Sequence, residues 1–117
     1  MQQHTYTGIV QKGEKRGSAL GFPTINIPLE NPALSGIYAA RVKVDKEEFD
    51  AVCYADERRR LLEAHLLDFS ADLYGWNVVV TLLKRLREGK RFADDEALKK
   101  AIAKDLSAAR AYFARVR

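Results

Sequence analysis

The sequence contains one cysteine, one methionine, one tryptophan and three prolines. The lone Cys53 cannot form an internal disulfide and has no second thiol for a zinc knuckle, so a reducing compartment or indifference to redox state is expected. No stretch approaches the roughly 18 apolar residues of a membrane span. Met1-Gln2-Gln3-His4-Thr5 offers neither a basic n-region nor an apolar h-region. A cytoplasmic protein with no membrane partner is therefore expected. The seven glycines and three prolines are scattered rather than clustered, which excludes low-complexity and disordered classes. A large charge of one sign is also missing. Sixteen acids interleave with 20 bases for a net charge of +4, so the basicity favours a polyanionic partner only weakly and names none.

What is present is a chain of 117 residues, 47% hydrophobic and 31% charged. That size suits one domain over residues 1–117 with a single core and one small site, expected as a monomer. Tyr6 to Gln11 is a short β-prone run. From Ile37 to Val44, Tyr38, Ala40, Val42 and Val44 form an apolar face, alternating with the mixed set Ile37, Ala39, Arg41 and Lys43. The run Asp45-Lys46-Glu47-Glu48 separates that strand from Phe49 to Tyr54, which predicts a hairpin with a polar tip. Leu61 to Phe69 and Asn77 to Leu86 are expected to form a second pair, joined by Ser70-Ala71-Asp72-Leu73-Tyr74-Gly75-Trp76. Near the end, Leu98, Ile102, Leu106, Ala109 and Phe113 recur at spacings of three and four, the stripe of an amphipathic helix. Asp94, Asp95 and Glu96 stand at its start, and Arg110, Arg115 and Arg117 at its end, as the helix dipole prefers. Strands first and one helix last favour an α+β arrangement around a small barrel.

Between the first strands, Gly13, Gly17 and Gly21 recur at intervals of four with Lys15, Arg16 and Ser18 among them. Such a loop either bends over an anion or simply punctuates a turn. Its spacing is neither a Walker pattern nor a dinucleotide fingerprint. Pro23 and Pro28 push the residues before them away from helix, so the segment between is extended, with Thr24 and Asn26 on one side. Their two neutral oxygens suit Mg²⁺ if a nucleotide supplies the negative ligands; otherwise they bond to local backbone. Alternation puts Glu63, His65, Leu67 and Phe69 on one strand face. Glu63 is either a general base or a solvated strand-end group paired with Arg60 or His65. Taken alone, His65 reads as a packing residue and Cys53 as buried filler. Lys84, Arg85, Arg87, Lys90 and Arg91 gather before Phe92, as either a solvated turn or a cationic platform beside an aromatic ring.

Taken in order, these segments resemble the riboflavin kinase (flavokinase) family. The resemblance runs from about Tyr6 to Arg110, through Gly8-Ile9-Val10, Leu20-Gly21-Phe22-Pro23-Thr24-Ile25-Asn26-Ile27, Gly36-Ile37-Tyr38-Ala39 and Glu63-Ala64-His65-Leu66-Leu67-Asp68-Phe69. It continues through Asp72-Leu73-Tyr74-Gly75, Leu86-Arg87 with Phe92, and Ile102, Asp105 and Ala109-Arg110. Its most specific parts are the Pro-Thr-x-Asn segment and the Glu-x-His strand.

The resemblance implies a six-stranded antiparallel Greek-key β-barrel with one C-terminal α-helix. The implied reaction is ATP-dependent phosphorylation of riboflavin at the ribityl 5′-hydroxyl to FMN, with ATP as co-substrate. It further implies Glu63 as catalytic base, and Thr24 and Asn26 as ligands of Mg²⁺, with Zn²⁺ or Mn²⁺ as substitutes. Gly13, Lys15, Gly17, Ser18, Gly21, Pro23 and Thr24 would surround the nucleotide, and Arg87 and Phe92 the flavin. Riboflavin, FMN, ATP and ADP are then the partners, with no nucleic acid. Two features depart from the family pattern. Ile25 replaces the usual alanine, and a short Asp56-Glu57-Arg58-Arg59-Arg60 turn stands where typical members have a longer connection with a Gly-x-Arg-Pro-Thr-like motif. Many bacterial members also carry an N-terminal FAD synthetase domain, for which 117 residues leave no room. The competing expectations are a non-catalytic flavin- or nucleotide-binding barrel and a basic barrel for single-stranded nucleic acid.

Overall fold

The computed structural model describes residues 4–12, 20–31 and 34–116. Six strands, β1 (His4–Ile9), β2 (Ile25–Pro28), β3 (Gly36–Val44), β4 (Glu47–Asp56), β5 (Leu61–Leu66) and β6 (Asn77–Arg87), precede one helix, α1 (Asp95–Val116). All pairings are antiparallel, in the order β1-β6-β3-β4-β5-β2. The meander β3-β4-β5 has β6 returning beside β3, which is the Greek-key order. The expected pairing of β5 with β6 therefore does not form: β5 takes β4 and β2 as neighbours, and β6 takes β3 and β1. The two edge strands curl toward each other, and Gln11 N–H donates to the Asn26 carbonyl at 2.8 Å across the seam. Gly8 lets them meet, because a Cβ there would lie 3.0 Å from Ile27 Cβ. The barrel is thus nearly closed, as expected.

Period-two alternation fills the interior. Ala40, Val42, Cys53, Leu62, Ala64 and Val80 are buried in one cluster. Where α1 covers the outer face of the barrel, Ile37, Ala39 and Val52 pack against Ala109 and Phe113. This explains why the first half of β3 is apolar on both faces. Asp94 caps the helix, accepting from Ala97 N–H at 2.8 Å. Arg110 clasps Asp68 with two bonds of 2.9 Å. No helix among the described residues is long and apolar enough to cross a membrane.

Three boundaries differ from the sequence expectation. The first strand runs His4–Ile9, leaving Gln11 as a single bridge. The polar hairpin tip shrinks to Asp45-Lys46 with Asp45 in the left-handed region (φ 55°), so β4 starts at Glu47. The strand expected to reach Phe69 stops at Leu66: Leu67 N–H donates to the Asp50 carbonyl, Asp68 turns at φ 60°, and Leu67 drops beneath the helix. The β4–β5 connection is the four-residue turn Glu57 to Arg60, with Arg60 at φ 54° and Arg59 N–H capped by Asp56 Oδ1 at 3.0 Å.

Candidate active site

Between the outer face of the barrel, the start of α1 and the surrounding loops lies a cleft of about 1460 Å³. Its floor follows from strand register. Asn26 of β2 stands directly opposite Glu63 of β5, Glu63 opposite Tyr54 of β4, Tyr54 opposite Ile37 of β3, and Ile37 opposite Arg87 of β6. Directly opposed residues share a face with Cβ atoms about 5 Å apart. Five strands therefore present one row of side chains to the cleft, and its polar members come from segments far apart in sequence.

The β2 end of the row holds Thr24 and Asn26 together, as expected from the two prolines, and both line the cleft. Asn26 is 4% exposed, and its Oδ1 is buried with no hydrogen-bond partner. The Tyr54 hydroxyl shares that state, and these two are the only such side-chain atoms among the described residues. Leaving a buried polar atom unsatisfied costs about 1–3 kcal/mol, so two of them in one cleft mark a place built for a ligand. Burial pushes the Tyr54 phenol above its ordinary range, with the charge of Asp105 adding to the rise and Arg87 opposing it. It remains a protonated hydroxyl. Among the described residues no three His, Cys, Asp or Glu side chains converge on a metal-sized point. A cation here would take neutral protein oxygens and complete its shell from a ligand, which fits the orphaned Asn26 Oδ1.

Glu63 is half-buried in this row. Its Oε1 accepts from Arg59 NH1 at 3.3 Å, and that guanidinium also lies 3.6 Å from Asp56 Oδ2. The pairing candidates Arg60 and His65 are not its ion-pair partner: the short turn sends Arg59 back over the carboxylate, while the Arg60 carbonyl accepts from Leu29 N–H. His65 does something else. The β2–β5 ladder ends at Ile25↔Ala64, and beyond it His65 Nδ1 bonds the Pro23 carbonyl at 2.7 Å, with the Phe22 ring edge-on at 6.0 Å. A carbonyl only accepts, so Nδ1 carries the proton. This side-chain bond continues the ladder where backbone pairing stops, and it holds the approach to Thr24.

At the β6 end, Arg87 and Phe92 line the cleft, with the guanidinium carbon 5.7 Å from the ring centroid. Yet Arg87 is held from below. Its Nε and NH2 donate to Asp105 Oδ1 and Oδ2 at 2.7 and 2.8 Å, and NH1 to the Glu88 carbonyl at 2.9 Å. That pairing holds the guanidinium charged, its pKa raised by the Asp105 bonds despite partial burial. Asp105 is 3% exposed, a carboxylate inside the apolar stripe of α1. Its sequence signal was its place three residues after Ile102 and four before Ala109. Pro23 and Gly21 stand at the approach to Thr24, and Gly21 has φ 91°. Gly13, Lys15, Gly17 and Ser18 lie outside the described residues. Cys53 faces the barrel interior, where burial pushes its thiol up and keeps it protonated, as befits filler.

A family profile described as riboflavin kinase matches residues 1–113. The chain belongs to the riboflavin kinase family. Within curated proteins it is 40% identical over 116 residues to the bifunctional riboflavin kinase/FMN adenylyltransferase of Pseudomonas fluorescens, covering 92% of this chain and 37% of that one. The chain thus spans little more than a third of that relative's length. Among solved structures, riboflavin kinase from Trypanosoma brucei superposes with a TM-score of 0.68 at 23% identity, over 96% of this chain and 81% of its own. A macrolide-efflux protein from Streptococcus pneumoniae superposes with a TM-score of 0.77 at 25% identity, over 91% of this chain and 38% of its own. The riboflavin kinase barrel with one C-terminal helix is therefore the fold of this chain. Sequence reasoning did not single out Arg59, Tyr54 or Asp105 as site residues, because each is brought there by a partner distant in sequence or by a turn geometry with no local signature.

Proposed function

We propose that the chain transfers the γ-phosphoryl group of ATP to the ribityl 5′-hydroxyl of riboflavin, giving FMN and ADP. The observation that carries this reading is the cross-strand pair Asn26 and Glu63, a buried neutral oxygen lacking a partner beside a carboxylate, in a row that faces the cleft. Phosphoryl transfer asks chiefly for positioning and charge neutralisation, which a single base, a cation site and anion-binding groups supply. Glu63 accepts the hydroxyl proton as the 5′ oxygen bonds to the γ-phosphorus. The bond from that phosphorus to the β,γ-bridging oxygen breaks, and ADP departs with the electron pair. Arg59 NH1 holds the carboxylate at Oε1 and so orients Glu63 toward the alcohol. Thr24 and Asn26 would hold Mg²⁺ together with nucleotide oxygens, and when bound it would neutralise charge on the phosphates. His65 fixes the backbone that presents Thr24.

The test is incubation with riboflavin, ATP and Mg²⁺, with FMN resolved by chromatography; absence of FMN under these conditions removes the proposal. A companion result is expected from Asn26→Val. The change removes a buried polar atom that has no partner, so the melting temperature should hold or rise by a few degrees, about 1 kcal/mol. Turnover at limiting Mg²⁺ should fall by more than the roughly 10- to 100-fold that altered outer-shell partners of a metal site cost. A melting temperature that drops sharply would mean that Asn26 is satisfied in the folded protein and serves structure.

A further inference from the structure

β6 carries two arginines into the cleft, and their surroundings differ. Arg87 donates from three of its nitrogens, two to Asp105 and one to Glu88. Arg85 is exposed and has no hydrogen bond or ion pair to any described residue. Its position is nonetheless defined. The β3–β6 ladder shifts register between Ile37 and Tyr38, and Arg85, opposite Tyr38, runs back over Gly36. A Cβ at Gly36 would lie 2.7 Å from Arg85 Nε and 3.1 Å from NH2. Gly36 itself sits at φ 105°, a conformation that side-chain-bearing residues rarely adopt. The bulge and the bare glycine together make a slot for a planar cation.

The surroundings of that slot indicate what it takes. Ile37, Phe92, Leu98 and Ile102 line the same cleft as Arg85, giving apolar surface for a flat ring system. Gly36 lies on β3, two strands from Glu63 on β5, or about 10 Å at the usual strand spacing. A flavin reacting through the end of its ribityl chain at Glu63 would lay its ring over that distance. Resting on the reading above, we propose that Arg85 is the residue that grips the flavin ring, its guanidinium donating to the ring carbonyl oxygens. Arg87 then fastens the helix beneath and stays out of direct recognition. The slot selects a planar, carbonyl-bearing heteroaromatic, and the fork of donors on a guanidinium suits such an edge better than an ammonium does.

Arg85→Met keeps the aliphatic stem and removes the donors. The native protein and this variant are compared for quenching of riboflavin and of lumiflavin, the ring system without the ribityl chain, and for steady-state turnover. Both flavins should bind about 10- to 100-fold more weakly to Arg85→Met, the range for loss of a charged hydrogen bond. The riboflavin KM should rise alike, with the ATP KM and the melting temperature unchanged. Arg85→Lys should recover only part of the loss. Binding of lumiflavin within twofold of native overturns the proposal, as does a raised ATP KM with riboflavin unaffected, which would place Arg85 on the phosphates. Flavin quenching is read without turnover. A native protein that binds both flavins but forms no FMN defeats the kinase reading, while loss of binding in Arg85→Met still supports the contact.

Discussion

Glu63→Gln should lower FMN formation by about 10²-fold or more, the scale of a positioned general base, with little change in melting temperature. The reasons are geometric. Glu63 lies opposite Asn26 in the row that faces the cleft, and Arg59 NH1 holds its Oε1 at 3.3 Å. Glutamine fills the same volume and still accepts from Arg59 through its amide oxygen, so the turn after β4 keeps its tie. What it lacks is an oxygen able to take a proton from the alcohol. The measurement is kcat at saturating riboflavin and ATP, together with KM for each. A fall in kcat at nearly constant KM identifies a group acting on the reacting proton. Activity within a few-fold of native would remove Glu63 from that role and leave positioning to account for catalysis.

The largest loss of stability is expected from Asp105→Ala. The carboxylate is 4% exposed and takes two charged bonds from Arg87, whose side chain is 28% exposed. Removing one partner of a buried pair leaves the other charge without compensation, a cost of about 3 kcal/mol, at the low end of the usual range because Arg87 retains some contact with water. For a domain of this size that corresponds to a drop of about 10 °C or more in melting temperature. The double variant Arg87→Met with Asp105→Leu should recover much of it, since both charges are then gone and apolar groups take their place. Thermal melts of the native, single and double forms measure the coupling. A single variant that melts within 2–3 °C of native would mean that the helix is held by Ala109 and Phe113 alone. The pair also orients β6, so Asp105→Ala should weaken flavin binding through displaced Arg85 and Phe92, whereas the double variant should largely restore it.

Much of the fold was legible because it follows from local rules. Alternation marked β3, the stripe from Leu98 to Phe113 marked α1, and Pro23 and Pro28 marked the extended segment bearing Thr24 and Asn26. Placing Glu63 on the face opposite Leu62 and Ala64 needed only the period of a strand, and those two are buried inside the barrel while Glu63 faces the cleft. The termination of β5 at Leu66 was not legible, because Leu67 and Phe69 are as β-prone as their predecessors. A tertiary contact, Leu67 N–H to the Asp50 carbonyl, ends that strand. Nor could local pattern assign partners to two arginines two positions apart in the same strand. Arg85 and Arg87 share composition and neighbourhood, and only a carboxylate on a helix 18 residues beyond Arg87 distinguishes them.

By itself, then, the order of residues determined which segments extend, which coil, and which side of each turns inward, because those outcomes depend on neighbours a few positions apart. It also supplied the motifs that align the chain with its family. Only the closed barrel decided which polar groups meet. Asn26 faces Glu63 across a strand register, His65 reaches the carbonyl of Pro23 42 positions away, and a bulge beside Gly36 lays Arg85 in its slot. Such meetings depend on how sheet edges close and how a helix seats upon them, and no short window of sequence encodes that geometry.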